Sequence, residues 1–411
     1  MRLIVPLLAA LTAFSCAKNN VVLPSAPAGT ATVTATQSPE DIVTLTTTRT
    51  HTYSPSVTET NTPDSTETQT STASPTFTIS NTQTVTCTFS FTPTVTPSAT
   101  ITQTHTPEPL STWTRETDAA AFGYQSAYEA VVYAGNIWLI GKNGDVWSSA
   151  GGVDWALATG NAGYPLRGSV AAVVHDSGDG EKIWVVGSSA DGNTSSDVWR
   201  TSNGVDWEIV TLNAQFMDRD NHDAVSFNGK IFVYGGYRSN VYFSDVWSSA
   251  DGINWTQEEQ YNYYGNRAFF SALVHGGKVW IIGGYSSIMG YSSDVMSSVD
   301  GINFNPVFSA AKFAPTRHHA AFSHDGRIWV IGGQTGANAY NSQVWYSAEG
   351  ETWVKTSDNL YSSIYPSHGV IYHAVASFDT GTGARAWIFG GYHYLSYGSP
   401  LGPYPEVWSG Y

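Results

Sequence analysis

Cysteine is almost absent from this chain of 411 residues, which contains only Cys16 and Cys87. If Cys16 is modified or removed with a leader, Cys87 has no partner left. An internal disulfide therefore cannot hold the folded chain together, and its stability must come from a large core.

Basic residues and helix-forming residues are also few. The 18 Lys and Arg are outnumbered by 33 Asp and Glu, and the formal net charge is −15. A nucleic-acid binder needs a basic surface, so this charge balance excludes that class. Aromatic residues, Gly, Ser and Thr are plentiful, which predicts strands and turns rather than helices.

The apolar segment at the N-terminus is too short to span a bilayer. Arg2 is followed by LIVPLLAALTAF and, two residues later, by Cys16. The segment resembles a bacterial lipoprotein signal, which implies a signal over 1–16 and lipid attachment at Cys16. The alternative is an ordinary secretory signal cut after Ala17. We therefore expect an exported protein that is lipid-anchored at the bacterial cell surface or outer membrane, or else secreted.

Residues 17–110 are rich in Thr, Ser and Pro, and 26 Thr lie between positions 41 and 110. In TQTVTCTFSFTPTVTPSATITQTHT (82–106) Thr alternates with other residues, which alone would predict a strand. However, prolines interrupt the pattern and apolar surface is scarce. We expect a disordered, extended stalk, of a composition that is typical of O-glycosylated segments.

Residues 111–411 repeat two short patterns. One is an apolar run that usually ends in Gly-Gly: NIWLIGK (136–142), KIWVVGS (182–188), KIFVYGG (230–236), KVWIIGG (278–284), RIWVIGG (327–333) and RAWIFGG (385–391). The other has the form SxDGxxW, as in SDVWSSADGINW (244–255), and its last aromatic residue recurs at 155, 207, 255, 304 and 353. The period is therefore close to 50 residues.

This period, with Gly-Gly and downstream aromatic residues, resembles the kelch repeat of β-propellers such as the central domain of galactose oxidase. Five consecutive apolar residues indicate a strand buried on both faces between two neighbouring blades. Gly-Gly is expected to take positive φ where the strand leaves its sheet. Asp-Gly is expected to form a two-residue hairpin turn between the third and fourth strands.

The last repeat indicates how the ring closes. It ends at PEVWSGY (405–411), a third strand with no fourth strand after it, and STWTRET (111–117) matches the missing strand. We predict an all-β fold: a six-bladed kelch-type propeller over 111–411, closed by its N-terminal strand and preceded by the disordered stalk.

Four arginines recur just before the innermost strands. By the resemblance, this position faces the channel mouth, where kelch domains contact peptides or sugars. Since 111–411 has only 15 basic residues against 27 acidic ones, an arc of arginines there would attract an anionic protein or glycan. The alternative is a scaffolding role, with the arginines bonded to backbone carbonyls or nearby acids. The arginines are Arg167, Arg219, Arg267 and Arg317.

The fourth position of the same motif holds Tyr128, His222, His319 and His373, which complete the candidate ligand-binding set. Three histidines could hold a metal ion, but histidines hydrogen-bonded between blades are more common, so we expect neither a metal nor a cofactor. The loops at 236–245, 284–294 and 391–406 are rich in Tyr, Ser and Gly and form a further candidate surface.

Two classes of enzyme that share this fold are excluded, because this chain lacks residues that they need. Galactose oxidase needs a Tyr–Cys crosslink, and 111–411 contains no cysteine. The Asp-boxes of sialidases place another residue between Asp and Gly, whereas here Gly follows Asp directly. A sialic-acid mutarotase is the enzymatic alternative, with Glu129 as the carboxylate and Arg167 for the substrate acid.

The sequence thus predicts a monomeric, non-catalytic module that binds a protein or carbohydrate through the propeller mouth and its loops. The alternatives are the mutarotase and a purely structural or adhesive surface protein.

Overall fold

The computed structural model describes residues 31–37, 42–52, 78–88, 113–124, 128–188, 196–307, 313–357, 360, 368–395 and 400–410. It divides the chain into two units, Met1–Gln103 and Thr104–Tyr411, which are considered separately. The signal and lipidated cysteine expected at 1–16 lie outside the described residues. Among the described residues, no helix is long and apolar enough to cross a membrane.

The first unit contains an antiparallel sheet of three strands, Ala31–Gln37, Ile42–Thr52 and Thr78–Thr88, paired in sequence order. Disorder was expected in these segments, and the three paired strands do not confirm it. In these segments Thr alternates with other residues and no proline occurs. Antiparallel pairing can therefore satisfy the hydrogen bonds of their backbone groups. Most of 17–110 lies outside the described residues, and there the stalk stays a prediction.

Within its described residues, the second unit contains six antiparallel sheets of four strands, which we call blades 1 to 6. Their strands, from the innermost outward, are as follows. Blade 1 has Tyr128–Tyr133, Asn136–Gly141, Val146–Ser149 and Ala156–Thr159; blade 2 has Ala172–Asp176, Glu181–Val186, Val198–Thr201 and Glu208–Thr211; blade 3 has Asp223–Phe227, Lys230–Tyr234, Val246–Ser249 and Thr256–Glu259. Blade 4 has Ser271–His275, Lys278–Ile282, Val295–Ser298 and Asn305–Pro306; blade 5 has Ala320–His324, Arg327–Gly336, Ala339–Ser347 and Val354–Ser357; blade 6 has Ala374–Asp379, Ala384–Phe389, Val407–Gly410 and Trp113–Thr117.

The blades form a closed ring. The innermost strand of each blade contacts that of the next, and that of blade 6 contacts that of blade 1. The predicted closure is confirmed, because the N-terminal strand pairs with the last strand in the register Val407↔Thr117 to Gly410↔Trp113. The all-β prediction is confirmed as well.

The hydrophobic core is divided into six clusters, each lying between two neighbouring blades of the described structure. The second strands supply four buried residues to each cluster, two from each of the two blades. In blade 3, Ile231, Phe232, Val233 and Tyr234 are all buried, as the apolar runs predicted. This arrangement explains why the runs are apolar on both strand faces.

The Asp-Gly turn differs from the predicted two-residue hairpin. In blade 3 the third and fourth strands are joined through residues 250–255. Ser249 Oγ accepts the Gly252 N–H at 2.8 Å, and Asp251 Oδ1 accepts the N–H groups of Ile253 and Asn254 at 2.8 Å. Gly252 has φ +70°, so the positive φ was expected correctly although the turn is longer.

Smaller sheets form on the connections from second to third strands, and one of them also includes the segment before the first strand of blade 6. They are the pair Tyr237–Arg238 and Val241–Tyr242, the pair Tyr285–Ser286 and Gly290–Tyr291, and the three strands His368–Ile371, Tyr392–Leu395 and Pro400–Pro403. The first two lie in the Tyr-rich loops predicted as a candidate surface.

Candidate functional site

Arg219 lies inside blade 3 and not at the mouth of the channel. Its side chain has 0% exposure. Nη1 and Nη2 donate to the two carboxylate oxygens of Asp245 at 2.6 and 2.9 Å, and Nη1 also donates to the Gly235 carbonyl at 2.7 Å. Arg219 thereby joins the Gly-Gly end of the second strand to the Asp that begins the third.

Two further arginines repeat this contact in neighbouring blades. Arg167 Nη1 donates to the Gly187 carbonyl and, at 2.9 Å, to Asp197. Arg267 donates to the Gly283 carbonyl at 3.0 Å and to Asp294 at 3.2 Å. This corrects the prediction that Arg167, Arg219 and Arg267 contact a ligand, because their guanidinium groups are buried against the blades' own acids and carbonyls.

Arg317 is the exception, because the motif in blade 5 is one residue shorter. Thr316 takes the internal position, buried beside the Gly332 carbonyl at 3.5 Å. Arg317 occupies the next position, where its backbone forms a β-bridge with Gln334. The equivalent β-bridges join Asp220 to Tyr237 in blade 3 and Ala268 to Tyr285 in blade 4. The shift of one residue moves this arginine from the blade interior to the rim of the channel.

At the rim, the Arg317 guanidinium is surrounded by aromatic rings. Its Cζ lies 5.3, 4.8 and 5.2 Å from the ring centroids of Phe269, Tyr285 and Tyr291. Nε donates to Gln334 Oε1 at 2.9 Å. Among the described residues, Nη1 and Nη2 have no hydrogen-bond partner and Arg317 has no acidic partner. Its charge therefore stays available at the rim.

One residue after the bridging position, four consecutive blades carry a non-glycine residue with positive φ. They are Asn221 (49°), Phe269 (62°), His318 (55°) and Tyr372 (55°). The Phe269 N–H donates to the Asn221 carbonyl and the His318 N–H to the Phe269 carbonyl, both at 3.0 Å, so backbone bonds link the blades here. Left-handed φ is unfavourable for bulky residues and is concentrated at functional sites.

The side chains of these residues line the open end of the central channel, a cavity of about 280 Å³. Three of them form a continuous aromatic arc, since the His318 ring lies 4.4 Å from that of Phe269 and 4.3 Å from that of Tyr372. We call the rim formed by Asp220, Asn221, Phe269, Arg317, His318 and Tyr372 the mouth.

The Tyr-rich loops extend the arc outward. The Tyr237 ring lies 5.2 Å from that of Phe269, and the Tyr242 ring lies 6.1 Å from that of Tyr285. All four rings are half-buried. The interpretation of 236–245 and 284–294 as part of a candidate surface therefore agrees with their position beside the mouth. Of 391–406, Tyr394 stacks on Tyr340 with centroids 3.9 Å apart.

Comparison with known proteins supports the fold. The Kelch motif family matches residues 218–248 and 315–359, which fall in blades 3 and 5. The solved structure of YjhT superposes with a TM-score of 0.55 at 14% sequence identity, covering 69% of this chain and 94% of YjhT. The chain contains a kelch-repeat β-propeller. No curated protein matches the sequence. At this identity the likeness to YjhT establishes the fold of the kelch propeller alone.

The predicted histidines lie between the blades of the kelch propeller. His222 is buried, and its Nε2 is 2.9 Å from the Val186 carbonyl. His319 packs against Gly283 and His373 against Gly332 of the preceding blades. Burial lowers the pKa of His222 and His373 to about 3 and that of His319 to about 4, so all three are neutral. They pack between the blades and also line the central cavity as neutral side chains.

Tyr128 has a similar internal role in blade 1. It is buried, and its hydroxyl donates to Asp145 Oδ2 at 2.6 Å. Asp145 begins the third strand of its blade, as Asp245 does in blade 3, so Tyr128 takes over part of the role of the missing arginine. Within the described parts of the chain, no three His, Cys, Asp or Glu side chains are grouped so that they could hold a metal ion.

Two carboxyl groups lie deeper in the channel of the kelch propeller, below the mouth. Glu129 and Asp223 both line the cavity. Asp223 accepts the Ala272 N–H at 2.7 Å and the Ala224 N–H at 2.8 Å. Burial raises the pKa of Asp223 to about 7, and burial together with the nearby Asp223 charge raises the pKa of Glu129 well above its ordinary range. The two N–H bonds to Asp223 stabilise its charged form, so we assign the first ionisation of the pair to Asp223.

The sequence pointed to Glu129 and Arg317 and to four further residues that line the cavity, Tyr128, His222, His319 and His373, but not to Asp220, Asp223, Phe269, His318 and Tyr372. The first position of the motif is internal, and the fourth lies between blades and lines the cavity. The third position lies at the mouth. The residue types at this third position could have indicated the mouth, because bulky or polar residues recur at it in blades 3 to 6: Asn221, Phe269, His318 and Tyr372.

Proposed function

We propose that the propeller is a non-catalytic module that binds a carbohydrate, as a monosaccharide or the end of a glycan chain, at its mouth. The observation that carries the proposal is the aromatic arc of Phe269, His318 and Tyr372 around an open cavity. Half-exposed aromatic faces offer apolar contact area to the C–H faces of a sugar ring, while polar groups around them orient its hydroxyls.

The size of the site favours a carbohydrate over a folded protein. The cavity volume of about 280 Å³ is close to the lower end of the range for small-molecule sites. A stable protein partner would need roughly 800 Å² of surface on each side, which a narrow channel mouth does not supply. The loop tyrosines could contact further residues of a longer glycan.

Removing the Phe269 ring should abolish most of the binding. Phe269→Ala deletes the ring that joins the arc to the loop residue Tyr237, and we expect affinity for the best glycan-array ligand to fall at least about tenfold. Titration calorimetry of the native chain and the variant measures this. Tyr261→Ala is the matched control, since Tyr261 is 75% exposed and lies outside the cavity lining. An unchanged affinity in Phe269→Ala would contradict the proposal, and an array without any binding would favour a structural or adhesive role.

The carboxyl pair supports a second candidate, proton transfer on a bound sugar. An ionised Asp223 beside a protonated Glu129 provides a base and an acid at neutral pH. A mutarotase needs little more than such a pair. The buried Arg167 cannot serve its substrate acid, so Arg317 would take that role.

This candidate predicts a characteristic pH profile. Because the Asp223 pKa is about 7, the fraction of base rises with pH through 7, and the anomerisation rate should rise with it. Exchange spectroscopy by NMR on an acidic sugar measures the rate, and Glu129→Gln should reduce it to that of buffer. A native rate equal to that of buffer removes this candidate.

We also propose that the propeller is displayed at the bacterial surface by a lipid on Cys16. The leader sequence and the Thr-rich segment support this. Fatty-acid labelling of cells that make the native chain or Cys16→Ala tests it, because label on both chains would refute lipidation at Cys16.

A further inference from the structure

Two opposite charges stand at equivalent positions of the mouth, two blades apart. Asp220 of blade 3 makes a backbone bridge to Tyr237, just after the second strand, and Arg317 of blade 5 makes the equivalent bridge to Gln334, near the end of the second strand. Ala268 holds this position in blade 4 between them. Phe269 follows Ala268 directly, so its ring lies between the two charged groups in ring order.

In the described structure neither Asp220 nor Arg317 forms an ion pair. Asp220 Oδ1 accepts bonds from Ser169 Oγ at 2.8 Å, Ser188 Oγ at 3.2 Å and the Asn221 N–H at 2.9 Å. Burial raises the pKa of this carboxyl, whereas these bonds and one from the Ser169 N–H lower it and favour the charged form. Both side chains are half-buried, so part of each is open to a ligand.

Asp220 and Arg317 both lie close enough to the Tyr372 hydroxyl to affect its ionisation. The Arg317 guanidinium lowers the pKa of the Tyr372 hydroxyl and the Asp220 carboxylate raises it, although burial dominates the net upward shift. A purely anionic ligand would leave Asp220 unpaired and be repelled by it, and a purely cationic ligand would be repelled by Arg317. A ligand with separated opposite charges satisfies both groups.

We propose, on the basis of the carbohydrate function proposed above, that the ligand is a zwitterionic sugar. Its carboxylate pairs with Arg317, its ammonium group pairs with Asp220 Oδ2, and its ring lies on Phe269 between them. This differs from the anionic ligand expected from the sequence, because that expectation counted basic residues and did not place an unpaired acid at the mouth.

Three sugars separate the two charges: glucuronic acid carries only the carboxylate, glucosamine only the ammonium group, and 2-amino-2-deoxyglucuronic acid both, on opposite sides of the ring. Calorimetry on the full chain should show the aminouronic acid binding at least about tenfold more tightly than either of the others, since each charged contact contributes a factor of this order. Equal or weaker binding of the aminouronic acid would overturn the zwitterion and leave the carbohydrate function standing.

Two variants assign the charges. Asp220→Asn keeps Oδ1 and its bonds, so we expect the fold to be preserved, with about tenfold weaker binding of the aminouronic acid and glucosamine and tighter binding of glucuronic acid, because the repulsion is gone. Arg317→Gln should weaken the binding of the aminouronic acid and glucuronic acid and tighten that of glucosamine. Arg238→Gln is the control, because Arg238 is already paired with Asp218 at 2.7 Å.

The results separate this inference from the proposed function. If none of the three sugars binds while Phe269→Ala still abolishes binding of an array ligand, the zwitterion is refuted and the carbohydrate function remains. If affinities change in Arg238→Gln as much as in the other two variants, the assignment of charges to Asp220 and Arg317 is refuted.

Discussion

Replacing Arg219 by alanine should lower the free energy of unfolding by about 3–5 kcal/mol. The arginine is fully buried, and its removal leaves the Asp245 carboxylate buried without its bidentate partner and the Gly235 carbonyl without a donor. Urea denaturation at pH 7 measures the change. The expected loss is a large part of the stability of an ordinary domain.

Arg238→Ala is the matched control for this experiment. It also removes an arginine paired with an aspartate in blade 3, but the Arg238 side chain is 40% exposed, so we expect a loss of about 1 kcal/mol or less. If Arg219→Ala were no more destabilising than Arg238→Ala, the internal role of Arg219 would be wrong. Because Arg219 stabilises the blade, a variant such as Arg219→Glu would unfold. A loss of ligand binding in that variant would therefore report unfolding and not a lost contact with the ligand.

Gly252→Ala should destabilise the protein by about 2–5 kcal/mol. Gly252 has φ +70°, which costs about 1–2 kcal/mol for a residue with a Cβ. The new Cβ would also lie 2.5 Å from the Trp184 ring of the neighbouring blade, and overpacking a core adds about 1–3 kcal/mol. Urea denaturation again measures the sum.

Gly229→Ala isolates the backbone term. Gly229 has nearly the same φ, +73°, in the same blade, but a Cβ there would meet nothing within 4 Å. We expect Gly229→Ala to lower the free energy of unfolding only by the cost of positive φ, about 1–2 kcal/mol. Equal losses in the two variants would show that the contact between Gly252 and Trp184 is not a constraint on the sequence.

This contact explains why the SxDGxxW pattern recurs. The glycine of each turn lies on an aromatic ring in the second strand of the preceding blade: Gly152 on Trp387, Gly204 on Trp138, Gly252 on Trp184, Gly301 on Phe232 and Gly350 on Trp280. The two patterns found in the sequence are therefore the two halves of one contact, repeated between blades.

Most of the fold could be predicted because its signals are local and repeated. Apolar runs, Gly-Gly ends and turn residues each express the packing of one blade, and their repetition made the closure by Trp113–Thr117 predictable. The candidate site was predicted less well, because Arg167, Arg219, Arg267 and Arg317 look alike in the sequence. A side chain's direction depends on its register in the strand, and one residue decides between interior and mouth.

The sequence by itself determined an all-β kelch propeller and the strand that closes it, since hydrophobic pattern and turn chemistry act within each repeat. Only the tertiary structure decided which side chains meet at the channel. Asp220, Phe269, Arg317 and Tyr372 come from different blades, and their proximity depends on ring closure and on the one-residue shift in blade 5, which no single repeat encodes.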